Sequence, residues 1–332
     1  MSLYSNVLKQ AWQIIWHHKY FWWLGILAIL FGTSIEIELL ESFLNKTKNS
    51  FYSISQFLET GIFNSRLLEN IKATVATDSY GFIIVISSFI IFLLALLVIV
   101  IIAIMSQMVI IDHAAQIKKD INIKPSLKKS LSKNWHRLLS VITLNLSVKI
   151  AVYISFLIIA LPIFLSINSP SIVADSIYLL LFIIMLPFAI VFSFAVKYII
   201  SYIVIYDQRL MQAIRNGWLL FKENWLVSIE MSFILFLINI FASLAVIILI
   251  SALGIPLGLL GDVGSLTIAP IVFVIVYIVS FFLFLALFLI GGGIITSYSL
   301  TAWTNLFLRL NEKGGTSKIA RTVNKITKKN QV

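Results

Sequence analysis

No cysteine occurs among the 332 residues, which excludes disulfides, thiolate metal sites and cysteine nucleophiles. Charge is scarce as well. Asp, Glu, Lys and Arg make up 12% of the chain, against about a quarter in a soluble domain. No G-x-x-x-x-G-K-[ST] loop, G-x-S-x-G elbow or H-E-x-x-H pair is present, so the pattern supports neither ATP binding of that type, a serine hydrolase nor a zinc peptidase. His17, His18, His113 and His136 stand near the ends of apolar runs without carboxylates at ligand spacing. They read as interfacial packing residues, not metal ligands. No paired catalytic groups stand in the apolar runs, so neither an enzyme nor a cofactor is expected.

What fills the chain instead is apolar: 60% of residues are hydrophobic, more than any water-soluble core can use. They fall in six runs, near residues 20–40, 81–111, 139–167, 176–205, 225–252 and 267–300. Such runs suit a bilayer core of roughly 30 Å. The predicted fold class is therefore all-α, a polytopic transmembrane helix bundle of six spans over residues 1–308, with a basic tail at 309–332. The first run is short and is followed closely by Glu36 and Glu38. It is read as an uncleaved span, because Trp12 and Trp16 precede it and no A-x-A pattern follows.

The net charge of +11 is distributed unevenly. Segments before span 1, between spans 2 and 3, between spans 4 and 5, and after span 6 together hold nineteen basic and five acidic residues. The opposite segments hold four basic and eight acidic ones. The positive-inside rule then puts both termini in the cytosol. A basic surface of this kind points to anionic lipid headgroups as partners, with a protein partner open and no nucleic acid. All eight tryptophans fall near the same boundary, as an aromatic belt would.

LKQAWQIIWHHKYFW, from Leu8, resembles LMQAIRNGWLLFKENW, from Leu210, and SLKKSLSKNWHRLL, from Ser126, is a poorer third copy. Each precedes an odd-numbered span. Three amphipathic elbow helices on the cytosolic surface would explain them, giving three parallel two-span units. Residues 41–80 are read as an extracytoplasmic interfacial segment. The tail SKIARTVNKITKKN is read as a basic helix on an anionic leaflet or a solvated tail. Gly254, Gly258, Gly261 and Gly264, around Pro256 and Asp262, predict a short outer connection. Gly291, Gly292 and Gly293 predict a close helix approach or a bend, and Pro162 and Pro187 predict kinks.

Three ionisable residues stand inside the spans: Lys149, Lys197 and Glu230. Such groups are costly in hydrocarbon. At 1.5 Å per residue they lie about 16, 14 and 8 Å from the cytosolic boundary. Asn145 is one turn from Lys149, and Ser193 and Ser201 flank Lys197. Lys149 leans toward the cytosol and can snorkel, whereas Lys197 leans away and most needs a partner. The expectation is a Lys197–Glu230 pair, with Lys149 and Asn145 in the same intramembrane polar cluster.

IVIYDQRLMQAIRNGWLLFKENW, from Ile203, resembles the signature of the membrane domain of glycerophosphoryl diester phosphodiesterases and of related six-helix bacterial membrane proteins. The matching positions are Asp207, Ala213, Ile214, Gly217, Trp218 and Lys222, with Trp225 closing the elbow. Asp stands for the usual Glu, and Gly for the usual Ser. The opening AWQIIWHHKYFWWLGIL resembles the start of such proteins. The resemblance implies a six-span module in a bacterial plasma membrane. It implies no phosphodiesterase activity, which resides in a separate soluble domain for which residues after 309 leave no room. Two functions follow: a non-catalytic, lipid-associated or partner-recruiting membrane module, and, as the alternative, a transporter or lipid translocator using the intramembrane Lys/Glu cluster.

Overall fold

The structure is a computed structural model that describes residues 3–29, 79–121, 123–165, 172–267 and 270–313. Every regular element among the described residues is an α-helix. In chain order they are α1 (Leu3–His17), α2 (Tyr20–Ile29), α3 (Ser79–Ile117), α4 (Leu127–Leu165), α5 (Ile172–Ile205), α6 (Leu210–Glu223), α7 (Trp225–Thr267) and α8 (Pro270–Lys313). Most of the expected segment at 41–80, the second half of the first span and most of the basic tail lie outside the described residues.

Among the described residues, four helices are long and apolar enough to cross a membrane: Tyr80–Ile117, Leu127–Ser155, Trp225–Gly254 and Val274–Glu312. The expected first span begins on the short apolar helix Tyr20–Ile29, and the expected fourth falls on α5, of which Val191–Ile205 is an apolar stretch. Side chains are exposed without a break from Ile83 to Ile99 of α3, and mostly exposed from Phe233 to Leu249 of α7 and from Val274 to Ile290 of α8, where Leu235 and Ser280 are buried. An all-round apolar helix that buries so little of itself needs a hydrocarbon surround.

Two of the three expected elbows are separate helices. α1 buries Tyr4, Val7, Ala11, Ile14 and Ile15 at helical spacing. It breaks at His18–Lys19 before α2. α6 buries Ala213, Gly217, Leu220 and Phe221, and ends at Asn224, whose N–H donates to the carbonyls of Leu220 and Phe221. The third copy is corrected: Ser126 immediately precedes α4, which runs unbroken to Leu165, so this basic stretch opens the long helix itself. It holds no helix-breaking residue after Pro125. The expected glycine-rich connection is corrected too. α7 continues through Gly254, Pro256 and Gly264 to Thr267. A helix interior glycine costs only about 1 kcal/mol, and in apolar surroundings the helix satisfies its own backbone. Helix likewise continues through Pro162 and Pro187.

The chain divides into two units. One comprises Met1–Phe31, Ile102–Ile142 and Phe194–Val332, and the other Gly32–Ile101 and Thr143–Ser193. In the first unit α8 packs against α1, α2 and α7. Its core includes a cluster of Ile14, Phe21, Ala28, Ile110, Ala114 and Ile117. The glycine run does bring helices close. A Cβ on Gly293 would sit 2.7 Å from the Trp22 carbonyl oxygen, and one on Gly25 would overlap the Gly293 carbonyl. Beside this crossing the Ser297 hydroxyl donates to the Phe21 carbonyl at 2.5 Å.

Candidate functional site

A buried polar arrangement in the first unit joins α2, α3 and α4. The apolar run of α3 carries the helix past residue 111 to Ile117, so Asp112 and His113 enter the interior instead of marking its edge. The first turns of α4 bury Ser130, Asn134, Leu138 and Val141, a stripe at helical spacing that faces them.

Asp112, 3% exposed, receives three donors. Lys133 Nζ lies 2.8 Å from Oδ1, Ser130 Oγ 2.6 Å from Oδ2, and Gln116 Nε2 3.0 Å from Oδ2. With its proton given to Asp112, Ser130 can only accept from His113 Nε2, 2.9 Å away. That places a proton on Nε2, and in the neutral imidazole Nδ1 then accepts from the Tyr20 hydroxyl at 3.0 Å. A one-way hydrogen-bond chain therefore runs from Tyr20 through His113 and Ser130 to Asp112, whose charge Lys133 balances. Three of its members are buried and every link is satisfied, which fixes the mutual placement of three helices. Such a chain orders protons, but it leaves no exposed nucleophile. His113, expected as an interfacial packing residue, is fully buried and forms a link in this chain. Nearby, His18 Nε2 lies 3.0 Å from the Ile121 carbonyl.

The resemblance residues occupy the corner between α5 and α6. Asp207 has φ 52°, a left-handed conformation that Asp tolerates better than most residues. Arg137 of α4 clamps it, Nε to Oδ1 at 2.6 Å and an Nη to the backbone oxygen at 3.0 Å. The guanidinium hydrogen bond holds the Asp207 carboxyl below its usual range. The pair therefore contributes stability above the unfolded carboxyl value and loses it as pH falls through the lower folded one. Both side chains are partly exposed, so the contribution is below about 1 kcal/mol. Arg137→Gln should lower the unfolding temperature slightly at pH 7 and leave it unchanged near pH 2, as thermal scans of the detergent-solubilised protein would check. Ala213 is buried, and a Cβ on Gly217 would lie 3.0 Å from the Ile199 amide nitrogen, so α6 is seated directly on α5. Trp218, Lys222 and Trp225 are exposed.

Of the expected intramembrane cluster, Lys197 and Glu230 belong to the first unit and Asn145 and Lys149 to the second. Lys197 Nζ stands over the Trp303 ring, 4.8 Å from its centroid, and 5.5 Å from that of Phe194. Glu230 accepts the Tyr4 hydroxyl, which ties α1 to α7. Trp303 is buried against Phe194 and Tyr198, so it is a core residue and is corrected out of the expected belt. Trp12, Trp16, Trp23, Trp135, Trp218 and Trp225 are exposed. Lys149 is half-buried, and Asn145 is buried with its amide nitrogen unpartnered among the described residues. Among the described residues no three His, Asp or Glu side chains gather as a metal site would require.

No curated protein and no solved structure matches the chain. A family model does match, over residues 15–308, which run from the last turn of α1 into α8 and include all of α6. The chain belongs to that family, a family of unknown function (DUF7544).

Proposed function

We propose that the protein is a non-catalytic integral membrane module of six spans, with both termini cytosolic, whose basic face associates with anionic lipid. The observation that carries this reading is the exposure of tryptophans and basic side chains that the sequence puts beside the ends of the apolar runs. Trp12, Trp16, Trp135, Trp218 and Trp225 share it with Lys9, Lys128, Lys129 and Lys222. Indole and ammonium groups together suit the headgroup region of an anionic leaflet. The corner-forming roles of Asp207 and Gly217 support the same reading, because they are structural. The likeness to phosphodiesterase membrane domains adds the bacterial plasma membrane.

Topology is testable because the chain has no native thiol. Ser5→Cys and Ser317→Cys, each alone, should both be labelled by an impermeant maleimide in inside-out vesicles and neither in intact cells. Labelling of the two from opposite faces would end the six-span reading.

The alternative, a transporter or lipid translocator, draws on the half-buried Lys197 and Glu230 in apolar helices. If they form the expected pair, Glu230→Leu alone destabilises the solubilised protein and Lys197→Met with Glu230→Leu recovers much of the loss. Silent single variants would remove the pair. The aromatic seat of Lys197 and the Tyr4 hydroxyl on Glu230 support a structural role for both.

A further inference from the structure

Beside the hydrogen-bond chain, the outer face of α4 carries an open pocket of about 540 Å³. Ser126, Lys128, Lys129, Ser132, Lys133 and His136 line it. Two carboxylates act on these three ammonium groups: Asp112, behind the pocket wall, which takes a single bond from Lys133, and Asp207, near Lys133 and His136, whose charge Arg137 already balances. An ammonium has three donors, so Lys133 is held in place and still has donors for a second acceptor. Lys128 and Lys129 form no ion pair among the described residues. The pocket thus carries a surplus of about two positive charges, with two hydroxyls as further donors.

A neighbouring stripe says where the complementary charge comes from. Leu127, Leu131, Trp135 and Leu139 recur every four residues and are all exposed. They flank the basic face of the same helix, so one surface offers an apolar contact and the next a cationic pocket. A free anion would use only the second. An anionic lipid uses both, with acyl chains along the leucines and its phosphate among the lysines.

We propose that this pocket binds the phosphate of an anionic phospholipid, with a phosphomonoester headgroup preferred over a phosphodiester. The preference follows from charge: a phosphomonoester carries about −1.5 to −2 at neutral pH and matches the surplus, whereas a diester carries half as much. The site rests on the lipid-associated reading above and gives it a location.

The test uses the full chain in detergent, titrated with phosphatidic acid, phosphatidylglycerol or phosphatidylcholine and read by native mass spectrometry. The wild type should retain phosphatidic acid most strongly and phosphatidylcholine least. Lys128→Gln with Lys129→Gln should weaken phosphatidic acid retention by about tenfold or more. Both residues are exposed, so the unfolding temperature without lipid should not move. Unchanged selectivity in the double variant overturns this site while leaving lipid association intact. No preference for anionic lipid in the wild type overturns the broader reading as well. Displacement of bound lipid by millimolar inorganic phosphate overturns the assignment to lipid, since the acyl contact would then contribute nothing.

Discussion

Replacing Lys133 with methionine should destabilise the protein by about 3 kcal/mol, and adding Asp112→Asn should restore most of that loss. The two partners of this pair are not equivalent. The Asp112 side chain is 5% exposed and that of Lys133 is 41% exposed. Removing the lysine strands a buried carboxylate that cannot reach water. Ser130 and Gln116 still donate to it, which keeps the cost near the lower end of about 3–5 kcal/mol for breaking a buried pair. Asparagine at 112 removes the charge but keeps an oxygen for Ser130, so the chain to His113 and Tyr20 persists. Asp112→Asn alone leaves Lys133 free to turn outward, and should cost about 1 kcal/mol, one hydrogen bond's worth. The measurement is tryptophan fluorescence during thermal or SDS unfolding in detergent. Equal costs for the two single changes, or no rescue in the double, would show that the Asp112 charge is not shielded as described.

This site was hidden in the sequence for a definite reason. α3 is apolar all round, so its residue pattern has no phase to say which way Asp112 points. A carboxylate that ends such a run reads as a boundary charge. The visible clue was on α4, where Ser130 and Asn134 stand four apart in an otherwise lysine-rich turn. Glu230 shows the opposite case. Its place within an apolar run was plain, but its partner Tyr4 lies 226 residues away in the chain. Local spacing reveals a helix and its faces, not which distant helix meets them. For that reason α1 and α6 were legible from their Trp and Lys spacing, while the continuity of α4 depended on the absence of any break. The Asp207 corner was legible as a motif; its Arg137 clamp, from another helix, was not.

Gly25→Ala and Gly293→Ala should each lower stability by about 3 kcal/mol, whereas Gly292→Ala, one residue away, should cost under about 1 kcal/mol. The difference lies in what an added methyl group would strike. At Gly25 it meets the backbone carbonyl of Gly293 and the Ser297 hydroxyl. At Gly293 it meets the Trp22 carbonyl oxygen at 2.7 Å and the Ile26 amide nitrogen at 2.9 Å. Backbone atoms of a helix have no rotamer to change, so α2 must move off α8 as a whole. That movement would also break the 2.5 Å bond from Ser297 to the Phe21 carbonyl. At Gly292 the neighbour is Ile29 Cδ1 at 2.7 Å, the far end of a flexible side chain that can rotate away. In lipid, where apolar burial gives helices little reason to associate, close backbone approach at small residues supplies much of the contact. The Gly25→Ala, Gly293→Ala double variant should cost less than the two singles added, because either change alone already separates the same surfaces. Unfolding temperatures of the four variants in one detergent decide it. If all three singles behave alike, helix propensity rather than contact is being measured, and the crossing of α2 on α8 at these glycines is wrong.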